Sequence, residues 1–372
     1  MSITTTFVPP VSKSSHKSPY PYFGGKSTVA DAIWERFGHD VVNFVDPFFG
    51  SNAVLLARPG WSATSSFFET INDDSALVAN FWRAIQFGPQ EAAYYADWPA
   101  NENDLHARHA WLVGRKESLR ESIEGDPDYF DAKIAGWWVW GMANWLGSGW
   151  CEGKGPWSVI DGKLVRVDTS AGTSRKRPAL NNSGRGVNRQ IVHLGNNGTG
   201  VNKYSVYTGA QLKACDTPES GECGIYAWFE ALSARMRRVR VACGDWKRVL
   251  TRTPTTAIGT TAILLDPPYA GNAGRDKNLY ERENLNVAYD VRKWAIENGN
   301  NPDLRIAVCG YESPDYTFPG WQVLEWKANG GFGNQQGKRG KENANRERIW
   351  FSPHCLKEKA GYEPVSLFDG FF

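Results

Sequence analysis

The sequence is short of cysteine pairs, of net charge and of long apolar runs, and each shortage excludes a class of protein. Its six cysteines (Cys151, Cys215, Cys223, Cys243, Cys309, Cys355) form no Cys-x-x-Cys pair, and no histidine falls at finger spacing around them. A zinc module or a disulfide framework is therefore not expected, and the protein reads as one of a reducing compartment. The net charge is only +2. Any contact with nucleic acid must then come from local clustering of positive side chains. Residues 1–18 carry no apolar central run, so no signal peptide is expected. The most apolar stretch, Ile134 to Trp150, is broken by Gly, Asn and Ser and is too short for a membrane span. It reads as a buried aromatic helix in a soluble, cytoplasmic protein. His106 and His109 share a helical spacing, but two ligands do not hold a metal; surface histidines and no metal are expected.

What is plentiful is apolar and aromatic surface. Hydrophobic residues make up 41% of 372, with 17 Trp. That suffices for a large core, and most of the indoles are expected inside it.

The apolar periodicity alternates between strand and helix. Residues 1–19 read as a flexible arm. Val41 to Val45 predicts a buried strand ending at Asp46-Pro47, and Ser65 to Glu69 predicts a second strand. Ser75 to Phe87 predicts a helix on the spacing of Leu77, Val78, Phe81, Trp82 and Ile85. Residues 88–150 are helical in pattern and rich in Trp, whereas 151–222 are rich in Gly, Asn, Ser and Thr. The α/β pattern resumes with a helix over 225–238 and strands over 239–243 and 262–265. A helix over 289–298 and a strand over 304–309 follow, then late strands over 322–327 and 348–351. This predicts one α/β sheet domain, 20–87 plus 223–372, split by an insert over 88–222.

The sharpest chemical signal is Leu264-Leu265-Asp266-Pro267-Pro268-Tyr269. A buried strand delivers Asp266 to the carboxyl end of a sheet, where open α/β proteins bind ligands. Two prolines remove backbone donors, so the loop offers carbonyl acceptors without competing N–H groups. Tyr269 adds a flat ring. Such a set suits an exocyclic amine on a base, whose lone pair is delocalised into the ring. Accepting its two hydrogens at Asp266 and at the Pro267 carbonyl returns electron density to nitrogen for attack on a methyl sulfonium. The target base must leave the duplex to reach this loop. The alternative reading is a plain strand-to-loop turn.

Asp266 to Tyr269 resembles the catalytic motif of amino-group DNA methyltransferases. Pro21-Tyr22-Phe23-Gly24-Gly25-Lys26 resembles the N-terminal cofactor motif of the Dam-like adenine methyltransferases, and Phe44-Val45-Asp46-Pro47-Phe48-Phe49-Gly50-Ser51 resembles their second cofactor motif. Arg346 to His354 resembles the family's closing strand. The likeness covers roughly residues 20–82 and 225–355. It implies a Rossmann-like methyltransferase sheet with helices on both faces, S-adenosylmethionine as cofactor, and a site-specific DNA adenine-N6 methyltransferase acting on double-stranded DNA as a monomer or weak dimer, in a phage or restriction-type setting. Tyr22, Gly24, Lys26, Asp46, Phe48, Gly50, Asp73 and Asp245 would line the cofactor. Lys26 would meet its carboxylate, Asp46 its amino group, Asp73 its ribose and Asp245 its adenine. The family more often has Glu where this chain has Asp46.

Several of these residues have a second reading. Lys26 is also a plausible solvent-facing lysine at a helix start. Asp73 suits the N-terminus of the following helix as well as a ribose, and Glu69 competes for the ribose role. By the resemblance, target recognition falls in the insert. There Arg175, Lys176, Arg177, Arg185 and Arg189 form a basic cluster able to neutralise phosphates, and Gly330-Gly331-Phe332-Gly333 is a candidate lining for the base pocket. The proline loop serves any exocyclic amine, so a cytosine-N4 or RNA amino methyltransferase stays open. So does a non-catalytic DNA-binding protein of the same fold.

Overall fold

Strand β6 (Thr261–Leu265) is buried along its whole length, and its side chains divide between two apolar layers. Ala262 and Leu264 join one cluster, Ile263 and Leu265 the other. The same alternation separates Phe44 from Val45, Ala307 from Val308, and Ile349 from Trp350. A strand of period two that is apolar on both sides must be covered on both faces. A computed structural model describes residues 16–20, 22, 24–145, 150–151, 157–160, 163–166, 224–268, 280–326 and 347–357, of which 157–160, 163–166 and 280–286 are described for backbone only.

The cover is helical on each side. One layer holds α1 (Ala30–Phe37), the one-turn α2 (Ala53–Leu56), α3 (Ala76–Phe87) and α8 (Ile225–Met236). The other holds α9 (Tyr280–Asn298) and a short 3-10 turn over Trp246–Val249. Between them lies a seven-stranded sheet. Besides β6 it contains β1 (Asn43–Asp46), β2 (Phe68–Asp73), β5 (Arg240–Cys243), β7 (Leu304–Tyr311), β8 (Gln322–Glu325) and β9 (Glu347–Phe351), in the order β5-β2-β1-β6-β7-β9-β8. The five strands from β5 to β7 are mutually parallel, and β9 lies antiparallel between β7 and β8. The protein is therefore mixed α/β, with a mostly parallel sheet flanked by helices. A separate two-stranded ladder joins β3 (Trp157–Ile160) to β4 (Lys163–Arg166).

Residues 88–145 form α4 (Pro89–Ala96), α5 (Glu102–Val113), α6 (Lys116–Gly125) and α7 (Ala132–Asn144). They share the apolar cluster of α3 and α8. Gly136 lets α7 close on α4, since a Cβ there would lie 2.5 Å from the Ala92 carbonyl. The expected aromatic helix from Ile134 to Trp150 is thus α7, which ends earlier, at Asn144. Among the described residues no helix is long and apolar enough to cross a membrane.

Two expectations need correction. The second strand lies later than Ser65 to Glu69, and Asp73 ends it rather than following it. His109 is not a surface residue. It is buried, its ring lies parallel to Trp145 at 4.8 Å, and Nδ1 accepts from the Cys151 N–H. Burial pushes its pKa down to about 4.

Candidate functional site

From β1 the parallel sheet proceeds outward through β2 and β5, and from β6 it proceeds the other way through β7. Connections leaving β1 and β6 therefore diverge, and it is beyond the carboxyl ends at such a divergence that open α/β sheets form their ligand crevice. Among the described acids at that edge, Asp46 closes β1, Asp73 closes β2 and Asp266 follows β6.

Asp266 is held by Lys26. The Nζ atom lies 2.6 Å from Asp266 Oδ2 and donates at 2.6 Å to the Gly24 carbonyl. Lys26 is only 3% exposed, and its ring neighbour is Trp326, 5.6 Å from Nζ. The preceding turn brings it there: the Gly25 N–H donates to the Tyr22 carbonyl, and Gly24 takes a left-handed φ of +79°. Burial works most strongly against the ammonium, but Asp266, together with Cys309 and Glu347, outweighs it and holds the pKa above its usual value. The solvent-facing reading of Lys26 is thus ruled out. Its charge is taken up by Asp266, which keeps a fifth of its side chain exposed. Pro267 is buried and Pro268 exposed; Tyr269 lies outside the described residues.

The β1 side of the crevice is a turn. Gly50 has φ +46°, and a Cβ there would stand 2.5 Å from the Tyr22 ring. Its carbonyl accepts from the Tyr20 hydroxyl at 2.7 Å, and its N–H donates to Asp73 Oδ2 at 3.1 Å. Asp73 Oδ1 accepts from the Ser75 N–H at 2.8 Å, just ahead of α3. One carboxylate so ties a turn to a helix start, and it retains lone pairs for a ligand. Burial pushes its pKa up to about 6. Asp46 is 3% exposed and accepts from the Phe48 N–H at 3.1 Å. Burial lifts its pKa well above the carboxylate range, and the nearby Asp266 and Asp73 add to the shift. Phe48 lies against Trp246, with ring centroids 5.9 Å apart.

One expected rival falls elsewhere, and Asp245 lies beside the Asp73 corner. Glu69 cannot compete for a ribose. It is the second residue of β2, away from the crevice, and Arg58 and Arg235 enclose its carboxylate. Asp245 is exposed beyond β5, where Oδ1 accepts from the Lys247 N–H at 2.7 Å. Its strand neighbours β2, so it stands one strand out from the Asp73 corner. Arg175, Lys176, Arg177, Arg185, Arg189 and the Gly330–Gly333 loop lie outside the described residues.

The structure adds a residue that the sequence marks only as part of the closing strand Arg346 to His354. Glu347 opens β9 and is 5% exposed. Burial pushes its pKa up to about 7, opposed by Lys26 and reinforced by Asp266. Its Oε2, the Trp326 Nε1 and the Tyr316 hydroxyl are all buried without a hydrogen-bond partner among the described residues.

The edge is thus acidic: Asp46, Asp266 and Glu347 lie near Lys26, and Asp73 lies near Asp46. It suits a ligand that brings positive charge and hydrogen-bond donors. No protein-family model matches the chain and no curated protein matches it, so the site's chemistry stands on this geometry alone.

Proposed function

We propose that the chain is a site-specific DNA adenine-N6 methyltransferase that takes its methyl group from S-adenosylmethionine. The observation that carries the reading is Asp266-Pro267-Pro268 leaving β6 at the divergence of the sheet, with Asp266 fixed through one oxygen by Lys26. Oδ1 and the Pro267 carbonyl remain as acceptors for the two hydrogens of an exocyclic amine. Neither proline has an N–H to compete. Fixing a carboxylate through its second oxygen aims the first without a search over rotamers.

The residues present fit the cofactor. Asp46 and Asp73 are costly to ionise in the free protein, and a cationic ligand with hydroxyls relieves that cost. The turn at Gly50 gives close backbone approach, and Tyr22 and Phe48 offer apolar faces beside it. S-adenosylmethionine supplies the electrophilic methyl group. Lys26, already paired with Asp266, is assigned to orienting that carboxylate. The mostly parallel, helix-flanked sheet is compatible with the Rossmann-like frame this reading requires. Adenine rather than cytosine, duplex DNA as substrate, Tyr269 as stacking partner and residues 88–222 as the target-recognition region are assigned from the Dam-like motifs. The basic cluster Arg175 to Arg189 is assigned to phosphates, with affinity expected to fall as salt rises.

Tritiated S-adenosylmethionine and unmodified duplex DNA test the reading, with digestion to nucleosides to identify the product. N6-methyladenine is expected. Asp266→Ala should lose transfer by roughly 10³-fold or more, the scale on which aimed polar groups act, and should keep cofactor affinity within about threefold, since Asp46 and Asp73 are untouched. Full transfer by Asp266→Ala would overturn the assignment.

A further inference from the structure

Methylation of an amine releases a proton, and the site must put it somewhere. Three of its four carboxyls already have partners. Asp266 Oδ2 holds Lys26, Asp46 Oδ1 takes the Phe48 N–H, and both oxygens of Asp73 take main-chain N–H groups. Glu347 differs, because its buried Oε2 has no donor among the described residues. A buried carboxylate oxygen without a donor is costly as an anion and is relieved by a proton.

The sheet explains how Glu347 comes to this edge. Strands β6 and β7 are parallel, with Leu265 opposite Val308, so Tyr311 lies at the same end of the sheet as Asp266. Strand β9 runs the other way, and its first residue, Glu347, pairs with Tyr311. The entry of one strand and the exit of another thus meet, far apart in sequence. Among the described residues, the charged and titratable groups that face Glu347 are Lys26 from the N-terminal turn, Asp266 from the β6 exit and Cys309 from β7. Lys26 is engaged with Asp266. The Cys309 thiol is buried, which raises its pKa far above neutrality and keeps it from accepting a proton.

We propose that Glu347 is the proton acceptor of the transfer, a role that rests on the methyltransferase reading. As the amine nitrogen bonds to the methyl carbon, the carbon–sulfur bond breaks and its electron pair stays on sulfur, leaving a neutral thioether. The nitrogen then gives up one N–H hydrogen as a proton to the Glu347 carboxylate, which later releases it to water. Asp266 keeps its pair with Lys26 throughout and acts by aiming the amine. A carboxyl poised near pH 7 suits this exchange, since it accepts and releases within the working range.

The test uses the full chain and two readouts. In wild-type protein carrying 13C-labelled glutamate carboxyls, one resonance should titrate with a midpoint near 7, and Glu347→Gln should remove it. In single-turnover methyl transfer to duplex DNA, the wild-type rate should rise with pH through the same midpoint and level off. Glu347→Gln should lower the plateau by about 100-fold, the ordinary scale of general-base catalysis, and abolish the rise, with S-adenosylmethionine and DNA affinities within about threefold of wild type. Glu347→Asp should restore part of the rate, which a merely structural role would not predict. An ordinary carboxylate midpoint for Glu347, or an unchanged pH–rate profile in a folded Glu347→Gln, overturns the proton role and leaves the methyltransferase reading standing. If wild type transfers no methyl group to any DNA, both fall together.

Discussion

Glu69→Gln should destabilise the fold heavily while leaving the crevice chemistry alone. In the native protein Glu69 Oε1 accepts from Arg58 Nη1 at 3.1 Å and from Arg235 Nη2 at 2.9 Å, and Oε2 accepts from Arg235 Nη1 at 2.7 Å. Both guanidiniums reach a second segment as well, Arg58 to the Val41 carbonyl and Arg235 to the Leu55 carbonyl. All three side chains are buried, Glu69 at 4%, Arg58 at 2% and Arg235 at 1% exposure. The amide removes the single negative charge between two cations that water cannot reach. Breaking a buried pair from one side costs about 3–5 kcal/mol. At about 2 °C per kcal/mol for a large chain, the thermal midpoint should fall by roughly 6–10 °C. Differential scanning calorimetry of both proteins in one buffer measures it. A second arm separates charge from shape: with Arg58→Met, Glu69→Leu and Arg235→Met together, no charge is left unpaired, and more than half of the loss should return. A midpoint for Glu69→Gln within about 1 °C of wild type would refute this account of the cluster. A large loss of cofactor affinity well below the melting range would refute the placement of Glu69 outside the crevice.

Two further outcomes follow from the β1 turn. Gly50→Ala forces a side chain into a left-handed conformation and against Tyr22. It should cost about 1–2 kcal/mol in urea unfolding, and titration calorimetry should find S-adenosylmethionine binding weakened about tenfold or more, the scale of about 1.4 kcal/mol. Unchanged binding would remove Gly50 from the cofactor site. The second outcome concerns pH. The Asp73 pKa lies near 6 in the free fold, so cofactor affinity should fall as pH drops below 6, by up to about tenfold per unit. Asp73→Asn should flatten this limb, and a wild-type affinity that is constant from pH 5 to 7 would sink the role. The linkage runs the other way for the free fold: the native state holds this proton more tightly than the unfolded chain, so its contribution to stability is present at low pH and lost as pH rises through 6.

Much of the frame was legible in the alternation of apolar residues. Ala262 to Leu265 is apolar on both faces, which only a covered central strand tolerates, and α3 carries its period openly. The pattern misplaces strand β2 because its buried residues are largely polar: Glu69, Thr70 and Asn72 sit inside, two of them supported by side chains or carbonyls far along the chain. Hydropathy has no term for a charge that is neutralised from a distance. His109 escapes hydropathy differently, since stacking on Trp145 makes a neutral imidazole a core residue. The acids at the ends of β1 and β6 were readable because a turn sequence follows each. Asp73 reads as an acid, but Glu69 obscures its place as the end of β2. Glu347 is readable only as part of the closing strand. Its meeting with Asp266 depends on the reversed register of β9 against β7, which no local pattern encodes.

The neighbours at the centre of the sheet impose an order on synthesis. Asn43 lies opposite Thr261, 218 positions later. A nascent chain therefore carries β1 with one edge bare until well over half of the polypeptide has left the ribosome. An exposed, apolar parallel edge invites pairing with other chains. Fragments ending before residue 261 should therefore aggregate rather than accumulate as a folded N-terminal half, and the protein should depend on chaperones that shield an unfinished sheet.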